Sequence, residues 1–379
     1  MGLAVIITFL VVSIYASVVM LLRSGLRKLG RDHDEIPGSP LSDIRKLEKV
    51  TVVIPFRNEL LYLADLVGDL TRQSYPVDLH EVIFVNDHSD DGSGELVESL
   101  IRENSRFTCL ELPAYTTGKK EALFYGISRA SSSWIIQTDS DCRVEEHFIS
   151  SHMAFLRSNP SDMVAGVVTT WDGDGGFTEI LERLDLLSLV ASGAGSFHFG
   201  RPVMCNGANL LYSKELFLET RGFDPTDKVL SGDDMFLMIG ARKLGKRLTF
   251  STSRKALVQT APCKSLGSMI AQRMRWGSKT MHYGMIDIQA LALLVVLTNL
   301  LVLCSPVWLL WIPQHWPWIL AGWALKTGVD FSILYTITGY TNQKKSLLWF
   351  LPVSISYYFI QMIILIGSVF GRSEWKGRT

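Results

Sequence analysis

The sequence predicts an α/β domain built on a mostly parallel sheet, with apolar transmembrane helices at both ends of the chain. Two observations carry this prediction. Short β-branched runs alternate with helical stretches through the middle of the chain, as in a parallel sheet covered on both faces. Hydrophobic residues make up 47% of the 379 residues and mean hydropathy is +0.21. The apolar excess lies at the two ends, in runs of about 20 residues that can span a bilayer.

The first segment, residues 1–23, is expected to be a transmembrane helix. Gly2 to Leu22 is an apolar run without a charge. A secretory signal would have a basic start, a shorter apolar core and a cleavage site of small residues, so an uncleaved anchor is favoured. The positive-inside rule then places the chain beyond this helix in the cytoplasm, because basic residues come next, namely Arg23, Arg27, Lys28 and Arg31.

Residues 24–49 are expected to be a polar linker, and a soluble domain is expected over residues 50–264. The predicted strands are Val50 to Pro55, Glu81 to Asp87, Phe107 to Leu112 and Trp134 to Asp139. The predicted helices are Leu60 to Gln73, Gly94 to Asn104 and Lys119 to Ala130. Ligands of such sheets bind beyond the carboxyl ends of the strands. Polar residues collect at those ends, namely Arg57, Asn58, Glu59, Asp87, Asp139 and Asp141.

Residues 265–286 are expected to form an amphipathic helix at a membrane surface, because Met and Ile are mixed there with basic residues and a tryptophan. Residues 287–371 predict about three further spans. Their apolar stretches are Ile288 to Ile312, Trp316 to Tyr340 and Leu347 to Phe370. Lys326 and Asp330 lie four apart on one helix face, which predicts an internal ion pair or a functional pair in an acceptor channel. Three spans would put the tail, residues 372–379, outside, yet its basic residues favour the inside.

Charge and cysteine content limit the kinds of partner, site and compartment that the sequence predicts. Lys plus Arg and Asp plus Glu both total 37, so the net charge of zero argues neither for nor against a nucleic-acid partner. The five cysteines are odd in number and show no CxxC spacing. A disulfide framework or a zinc site is therefore not expected, and a reducing compartment fits better.

Asp139-Ser140-Asp141 follows the last predicted strand and is the candidate metal site. Two carboxylates two residues apart can meet at one cation, and Mg²⁺ or Mn²⁺ favours carboxylate together with pyrophosphate oxygen. Such a metal would neutralise the charge that builds on a departing nucleoside diphosphate. The other interpretation of this triplet is a solvated turn.

Asp87 ends the second predicted strand, where its carboxylate could accept a hydrogen bond from a base N–H. Asp90 and Asp91, which follow it, are typical of a turn and a helix cap. After the first strand, Pro55 is expected to stop the ladder, and the polar residues from Arg57 to Glu59 either open a helix towards a ligand or form only a capped loop.

Three further clusters could carry chemistry. Gly118-Lys119 begins a helix, where a cation and free backbone N–H groups could meet a phosphate or form a solvated turn. Asp233-Asp234 precedes an apolar helix and supplies either an N-cap or a general base for an acceptor hydroxyl, whose pKa we expect burial to raise. In the segment 272–276, Arg could grip a diphosphate and Trp could stack on a sugar or base, or the segment is only a basic interfacial helix.

Together and in this order, these segments resemble family 2 glycosyltransferases with the GT-A (Rossmann-like) fold, in the membrane-integrated branch of cellulose, chitin and hyaluronan synthases and ceramide glucosyltransferases. The resemblance covers roughly residues 50–276 and the flanking helices. It implies a metal at Asp139 and Asp141 and a base at Asp234, paired with Asp233. It matches Gly222-Phe223-Asp224 to a segment before the base. It implies substrate binding by Pro55, Arg57, Glu59, Asp87, Lys119, Asp139, Asn206, Gln272, Arg275 and Trp276.

The resemblance implies an inverting enzyme that moves a sugar from a nucleotide sugar, with a UDP-sugar favoured, to a lipid or polysaccharide hydroxyl with the help of Mg²⁺ or Mn²⁺. It implies a multi-pass membrane protein with a cytoplasmic catalytic domain, a bacterial inner membrane being favoured, no nucleic-acid partner, and an oligomer or synthase complex. The acidic pair is Asp-Asp rather than Glu-Asp, so Asp234 is favoured as the base. The few spans argue against processive polymer secretion. The alternative is an inactive sugar-binding or scaffolding subunit of a polysaccharide synthase.

Overall fold

The computed structural model describes residues 2–34, 47–173, 176–220, 233–280 and 283–370. The chain divides into two compact units. The α/β unit consists of Leu29–Trp171 and Gly200–Ala261, and the helical unit consists of Met1–Lys28, Asp172–Phe199 and Pro262–Thr379. The segment from Gly222 to Asp224 and the tail 372–379 lie outside the described residues, as does the part of the predicted linker from residue 35 to residue 46.

Helices and strands are numbered along the chain. The strands are Val50–Phe56 (β1), His80–Asn86 (β2), Phe107–Glu111 (β3), Trp134–Gln137 (β4), Cys142–Val144 (β5), Met163–Gly166 (β6), Val168–Thr170 (β7), Leu210–Ser213 (β8), Leu248–Ser251 (β9) and Val258–Thr260 (β10). The helices are Gly2–Asp34 (α1), Leu63–Thr71 (α2), Ser93–Ile101 (α3), Lys119–Arg129 (α4), Phe148–Ser158 (α5), Phe177–His198 (α6), Lys214–Thr220 (α7), Asp233–Lys243 (α8), Leu266–Thr280 (α9), Ile286–Trp311 (α10), Trp316–Tyr340 (α11) and Phe350–Phe370 (α12). Short 3₁₀ turns are Val77–Leu79, Arg254–Ala256, Pro313–His315 and Lys344–Trp349.

The α/β unit is built on a seven-stranded sheet with the order β3-β2-β1-β4-β8-β6-β9. Neighbouring strands run parallel except at β8, which is antiparallel to both β4 and β6. β1 lies inside the sheet and is buried along its whole length, which explains its run of β-branched residues. The prediction of a mostly parallel sheet is confirmed. A second, three-stranded sheet has the order β5-β10-β7.

Pro55 does not end the first strand, contrary to the prediction, because β1 continues to Phe56. Pro55 pairs with Val85 of β2, whereas β4 pairs with β1 only as far as Val53. Beyond that point one side of β1 has no neighbouring strand. A residue without an N–H group is tolerated in a strand at such an edge.

The boundaries of the helical segments differ from the prediction in two places. α1 continues through the basic residues to Asp34, so the helix takes up the first part of the predicted linker. α6 lies inside the predicted soluble segment 50–264 but groups with the terminal helices. Its buried residues lie on every side of the helix, as expected of a helix surrounded by others.

Among the described residues, three helices are long and apolar enough to cross a membrane, over Gly2–Gly30, Ile286–Trp308 and Lys344–Ser368. They support membrane association of the chain. α11, which the sequence predicted as a span, has the length but is not among these candidates.

The ion pair predicted within α11 is present. Lys326 Nζ lies 2.7 Å from Asp330 Oδ2, and the Tyr15 hydroxyl on α1 donates to Asp330 Oδ1 at 2.6 Å. Lys326 is buried and its ammonium lies 4.6 Å from the ring centre of Tyr358. The pair therefore faces other helices, as an internal ion pair does.

Candidate active site

The carboxyl ends of β1 and β2 meet at the loop that begins α4. Asp87, directly after β2, is buried, and its Oδ2 accepts a 3.0 Å hydrogen bond from the backbone N–H of Gly118. Gly118 has φ 106° and ψ 157°, a conformation essentially restricted to glycine. Arg57, directly after β1, donates from Nη1 to the Asp87 carbonyl at 3.1 Å. Asp87 thus connects the ends of two strands with the start of α4.

Lys119 forms an ion pair with the first acid of the candidate metal site. Its Nζ lies 2.6 Å from Asp139 Oδ1, and both side chains are partly exposed. Burial by itself would lower the pKa of Lys119, but the nearby carboxylates of Asp139, Asp233 and Asp234 raise it well above its usual value. This lysine therefore lies among acids from separate stretches of the chain.

Asp234, at the start of α8, is the predicted base. Its Oδ2 accepts from Gly207 N at 2.9 Å and its Oδ1 accepts from Met235 N at 2.8 Å. Burial, and next the charge of Asp233, raise the pKa of Asp234 to about 6, against the opposing effect of Lys119. Two like charges side by side disfavour double ionisation. The direction of this shift agrees with the expectation from the sequence.

The neighbouring acid, Asp233, is held by residues that the sequence reasoning missed. Gln137, the last residue of β4, donates from Nε2 to Asp233 Oδ2 at 2.8 Å. The Tyr212 hydroxyl on β8 donates to Gln137 Oε1 at 2.8 Å. A glutamine in an otherwise apolar strand, two residues before Asp139, was the available signal. This chain of hydrogen bonds fixes α8 against the middle of the sheet.

Asp139 and Asp141 are suitable ligands for a hard divalent cation. Asp141 lies two residues beyond Asp139 and accepts a weak S–H contact from Cys142 at 3.6 Å. Within the part of the chain that the structure describes, no three His, Cys, Asp or Glu side chains form a group that could hold a metal alone. Mg²⁺ usually binds to one or two carboxylates and completes its coordination with water and substrate phosphate. Two carboxylates are therefore enough for a magnesium site that water and a phosphate-bearing ligand would complete.

The loop after β1 is a capped turn. Asn58, with φ 55°, exchanges two hydrogen bonds with Asp90, at 2.8 and 3.0 Å. Glu59 N donates to Ser93 Oγ at 2.9 Å. Asp91 accepts from Leu60 N at 3.2 Å and from Ser93 N at 3.0 Å. The prediction that Asp90 and Asp91 are structural is confirmed, and these bonds fix the backbone that carries Arg57 and Glu59.

Asn206 lies in the loop whose next residue, Gly207, binds Asp234. Its Oδ1 accepts from Ala208 N at 3.0 Å, so its side chain closes the turn of its own loop. A Cβ at Gly207 would lie 3.0 Å from Gln137 Nε2 and 3.4 Å from the Cβ of Asp234. Only glycine allows this close approach without movement of the neighbours.

The predicted residues of segment 272–276 belong to the helical unit, on α9. Gln272, Arg275 and Trp276 therefore lie on a different unit from the other candidates. Three charged side chains that were not predicted as functional are buried in α6, namely Glu182, Arg183 and Asp185. Three charges in four residues of an otherwise apolar helix were the signal for them.

Comparison with known proteins gives concordant results. Residues 51–220 match the sequence profile described as Glycosyl transferase family 2. Glycosyltransferase GlyG of Streptococcus pneumoniae serotype 4 is 29% identical over 180 residues, which are 45% of this chain and 59% of that protein. The chain thus spans less than two thirds of that relative. Glycosyltransferase AglE of Haloferax volcanii is 22% identical over 239 residues, covering 63% of this chain and 75% of that protein.

One solved structure is similar over almost the whole chain. It is the mannosyltransferase PcManGT from Pyrobaculum calidifontis in complex with GDP-Man and Mn²⁺. The TM-score is 0.58 with 16% sequence identity, and the match covers 97% of this chain and 98% of that one. This likeness confirms the predicted α/β fold with long apolar helices at both ends.

Proposed function

We propose that this chain, whose residues 51–220 match the profile of glycosyltransferase family 2 and which has a GT-A-like fold, transfers a sugar from a nucleotide sugar to a hydroxyl group with inversion at the anomeric carbon. The observation that carries the proposal is the convergence around Lys119. This lysine is paired with Asp139 at 2.6 Å, follows the glycine that binds Asp87, and is close enough to Asp234 to lower its pKa. The carboxyl ends of β2 and β4 and the first residues of α4 and α8 thus meet at one place.

Asp234 is the general base in this proposal. It would take the proton of the acceptor hydroxyl while that oxygen attacks the anomeric carbon. A pKa of about 6 leaves the carboxyl mostly ionised at neutral pH and brings it nearer to the ideal for proton transfer than an ordinary aspartate. The hydrogen bonds from Gly207 and Met235 hold the carboxylate in one orientation.

The donor would lie over the strand ends. Asp87 would accept from the nucleobase, and Arg57 and Glu59 would line the same edge. Asp139 and Asp141 would hold Mg²⁺ or Mn²⁺, which when bound neutralises negative charge on the diphosphate leaving group. Lys119 carries a positive charge beside that position, where it would hold a phosphate oxygen. Two pieces of support come from other proteins. The structural relative binds GDP-Man and Mn²⁺, and the family resemblance favours a UDP-sugar.

The acceptor is proposed to be membrane-borne, a lipid or a growing glycan. Three helices of spanning length support this, because an enzyme anchored in a bilayer can reach acceptors held there. The basic residues after the first span favour a catalytic unit on the cytoplasmic side. The family resemblance supports substrate contacts for Gln272, Arg275 and Trp276 on α9.

A screen of radiolabelled UDP- and GDP-sugars tests the proposal. The purified protein is incubated with Mn²⁺ or Mg²⁺ and a membrane lipid extract, and the product is identified by mass. We expect label from one sugar to enter an extractable lipid or a polymer, with loss of transfer when the metal is chelated. A protein that binds a nucleotide sugar but neither transfers nor hydrolyses it under any of these conditions would be the inactive subunit instead.

A further inference from the structure

A buried ion pair connects α6 to α9 in the helical unit. Arg273 Nε donates to Asp185 Oδ2 at 2.5 Å. The side chain of Arg273 is 5% exposed and that of Asp185 is fully buried. Removing two charges from water is expensive, and an apolar pair of the same size is often as stable. Stability alone therefore does not account for this pair.

The Arg273 guanidinium also contacts two of the residues for which the family resemblance implies substrate binding. Its centre lies 4.2 Å from the ring centre of Trp276, and its Nη1 donates to Gln272 Oε1. A guanidinium is planar and rigid, so anchoring Nε on Asp185 fixes the plane that faces the indole. The cation–π contact then restricts how the indole can turn.

A second carboxylate on the same face of α6 holds the chain just before α9. Glu182 is buried, and its Oε2 accepts from Cys263 N at 2.7 Å. Glu182 and Asp185 are three residues apart, and side chains with that spacing lie on one helix face. One face of α6 therefore binds the segment just before α9, through Cys263, and also binds Arg273 in the middle of α9.

We propose that Asp185 is a positioning residue, which acts through Arg273 to hold Trp276 and Gln272 in the orientation needed to receive substrate. The proposal rests on the proposed function, which places Gln272 and Trp276 in contact with substrate. It adds Asp185, which lies outside the segment 272–276, and assigns a task to Arg273 inside that segment.

The test compares Asp185→Asn with an Asp185→Asn/Arg273→Met double variant in the full-length protein, purified in detergent. The control is Asn299→Ala, which breaks another buried polar contact of the helical unit, between Asn299 on α10 and Gln361 on α12. The first readout is near-ultraviolet circular dichroism. For each protein, the spectrum of its Trp276→Phe counterpart is subtracted, which isolates the contribution of this indole. The second readout is kcat/KM for sugar transfer from GDP-mannose or UDP-glucose, beside the melting temperature.

We expect Asp185→Asn to lower the melting temperature, to reduce the Trp276 signal at least twofold and to lower kcat/KM about tenfold or more. The double variant leaves no unpaired charge, so its melting temperature should return towards that of the unaltered protein while the Trp276 signal and kcat/KM stay low. Asn299→Ala should lower the melting temperature and leave both other readouts within about twofold. Asp185→Glu, which keeps the charge, should recover part of the loss.

Two results would overturn the positioning role. One is an unchanged Trp276 signal in Asp185→Asn, and the other is recovery of kcat/KM together with stability in the double variant. An unaltered protein that transfers no sugar would contradict the proposed function instead. In that case the Trp276 signal alone still decides whether Asp185 orients the indole.

Discussion

Charged groups are arranged in opposite ways in the two units of this protein. In the α/β unit, the three acids Asp139, Asp233 and Asp234 surround a single lysine, Lys119, at the partly exposed ends of strands. In the part of the helical unit that the structure describes, Arg273 pairs with Asp185 and Lys326 pairs with Asp330, so each pair matches one cation to one anion. An excess of acid around one cation leaves negative charge that a metal and a phosphate-bearing ligand can use. Matched pairs leave none, and they hold helices in place.

The largest expected effect is the loss of the base. Asp234→Asn should lower kcat about 10³-fold, because no other group takes the proton of the acceptor. Stability should change little, because the relief of repulsion between two adjacent like charges offsets the one backbone hydrogen bond that the amide nitrogen can no longer accept. Transfer rates and thermal melting of the purified protein check both statements. Asp90→Asn is the control that should keep full activity, because asparagine keeps the backbone N–H and one acceptor oxygen for the two hydrogen bonds with Asn58.

Breaking the Lys326–Asp330 pair should instead lower stability and leave transfer activity near normal. Lys326→Met leaves the partly buried Asp330 without its cation and should destabilise the protein by about 3 kcal/mol. The Lys326→Met/Asp330→Leu double variant should recover most of that loss. Transfer activity at low temperature, where each variant is folded, should stay near normal. A low kcat in the folded double variant would show that the pair has a catalytic task and would remove the contrast between the units.

The acids at the strand ends should give a metal dependence. Asp141→Asn should lower kcat about 10²-fold and raise the Mn²⁺ concentration needed for half-maximal rate, because one of two carboxylate ligands is lost. Titration of activity with Mn²⁺ and equilibrium binding of Mn²⁺ measure this. Equal Mn²⁺ affinity in the variant and the unaltered protein would exclude Asp141 as a ligand.

His152 offers a test of a buried group that takes no part in the proposed chemistry. Its Nε2 bonds to Asn209 Oδ1 at 2.8 Å, and burial lowers the pKa of His152 to about 4. The unfolded chain, with a pKa near 6.5, binds the proton more readily, so stability is full above pH 6.5 and falls as the pH drops towards 4. Between pH 6.5 and pH 5 this should cost about 2 kcal/mol. His152→Gln, which cannot titrate, should flatten that part of the stability curve.

The smallest effect is a shift in the pH profile. With the Asp234 pKa at about 6, kcat/KM should fall as the pH drops below about 6, because the base becomes protonated. Asp233→Asn removes a charge that raises the pKa of Asp234. The pH below which kcat/KM falls should therefore decrease by about one unit. Lys119→Met removes a charge that lowers the pKa of Asp234, so the pH below which kcat/KM falls should increase. Initial rates between pH 4.5 and pH 8 measure both, and a pH dependence that stays the same in both variants would argue against Asp234 as the titrating base.

The first four strands and the mostly parallel sheet were predictable, because they follow from local sequence patterns. Buried parallel strands consist of β-branched residues, and each of the first strands ends in polar residues, so Asp87 and Asp139 could be placed at one edge. The pairing of Lys119 with Asp139 was not predictable, since it depends on how far the loop before α4 reaches. The position of α6 was also missed. Its membership of the helical unit depends on packing between distant segments, although its buried Glu182 and Asp185 were visible in the sequence.

A structure determined with Mn²⁺ and GDP or UDP tests the central claim most directly. We expect Mn²⁺ to be bonded to a carboxylate oxygen of Asp139 or Asp141 and to the diphosphate, with the base of the nucleotide against Asp87 and the Asp234 carboxylate facing the position of the transferred sugar. A nucleotide bound away from Asp87, with Mn²⁺ in contact with neither acid, would contradict it.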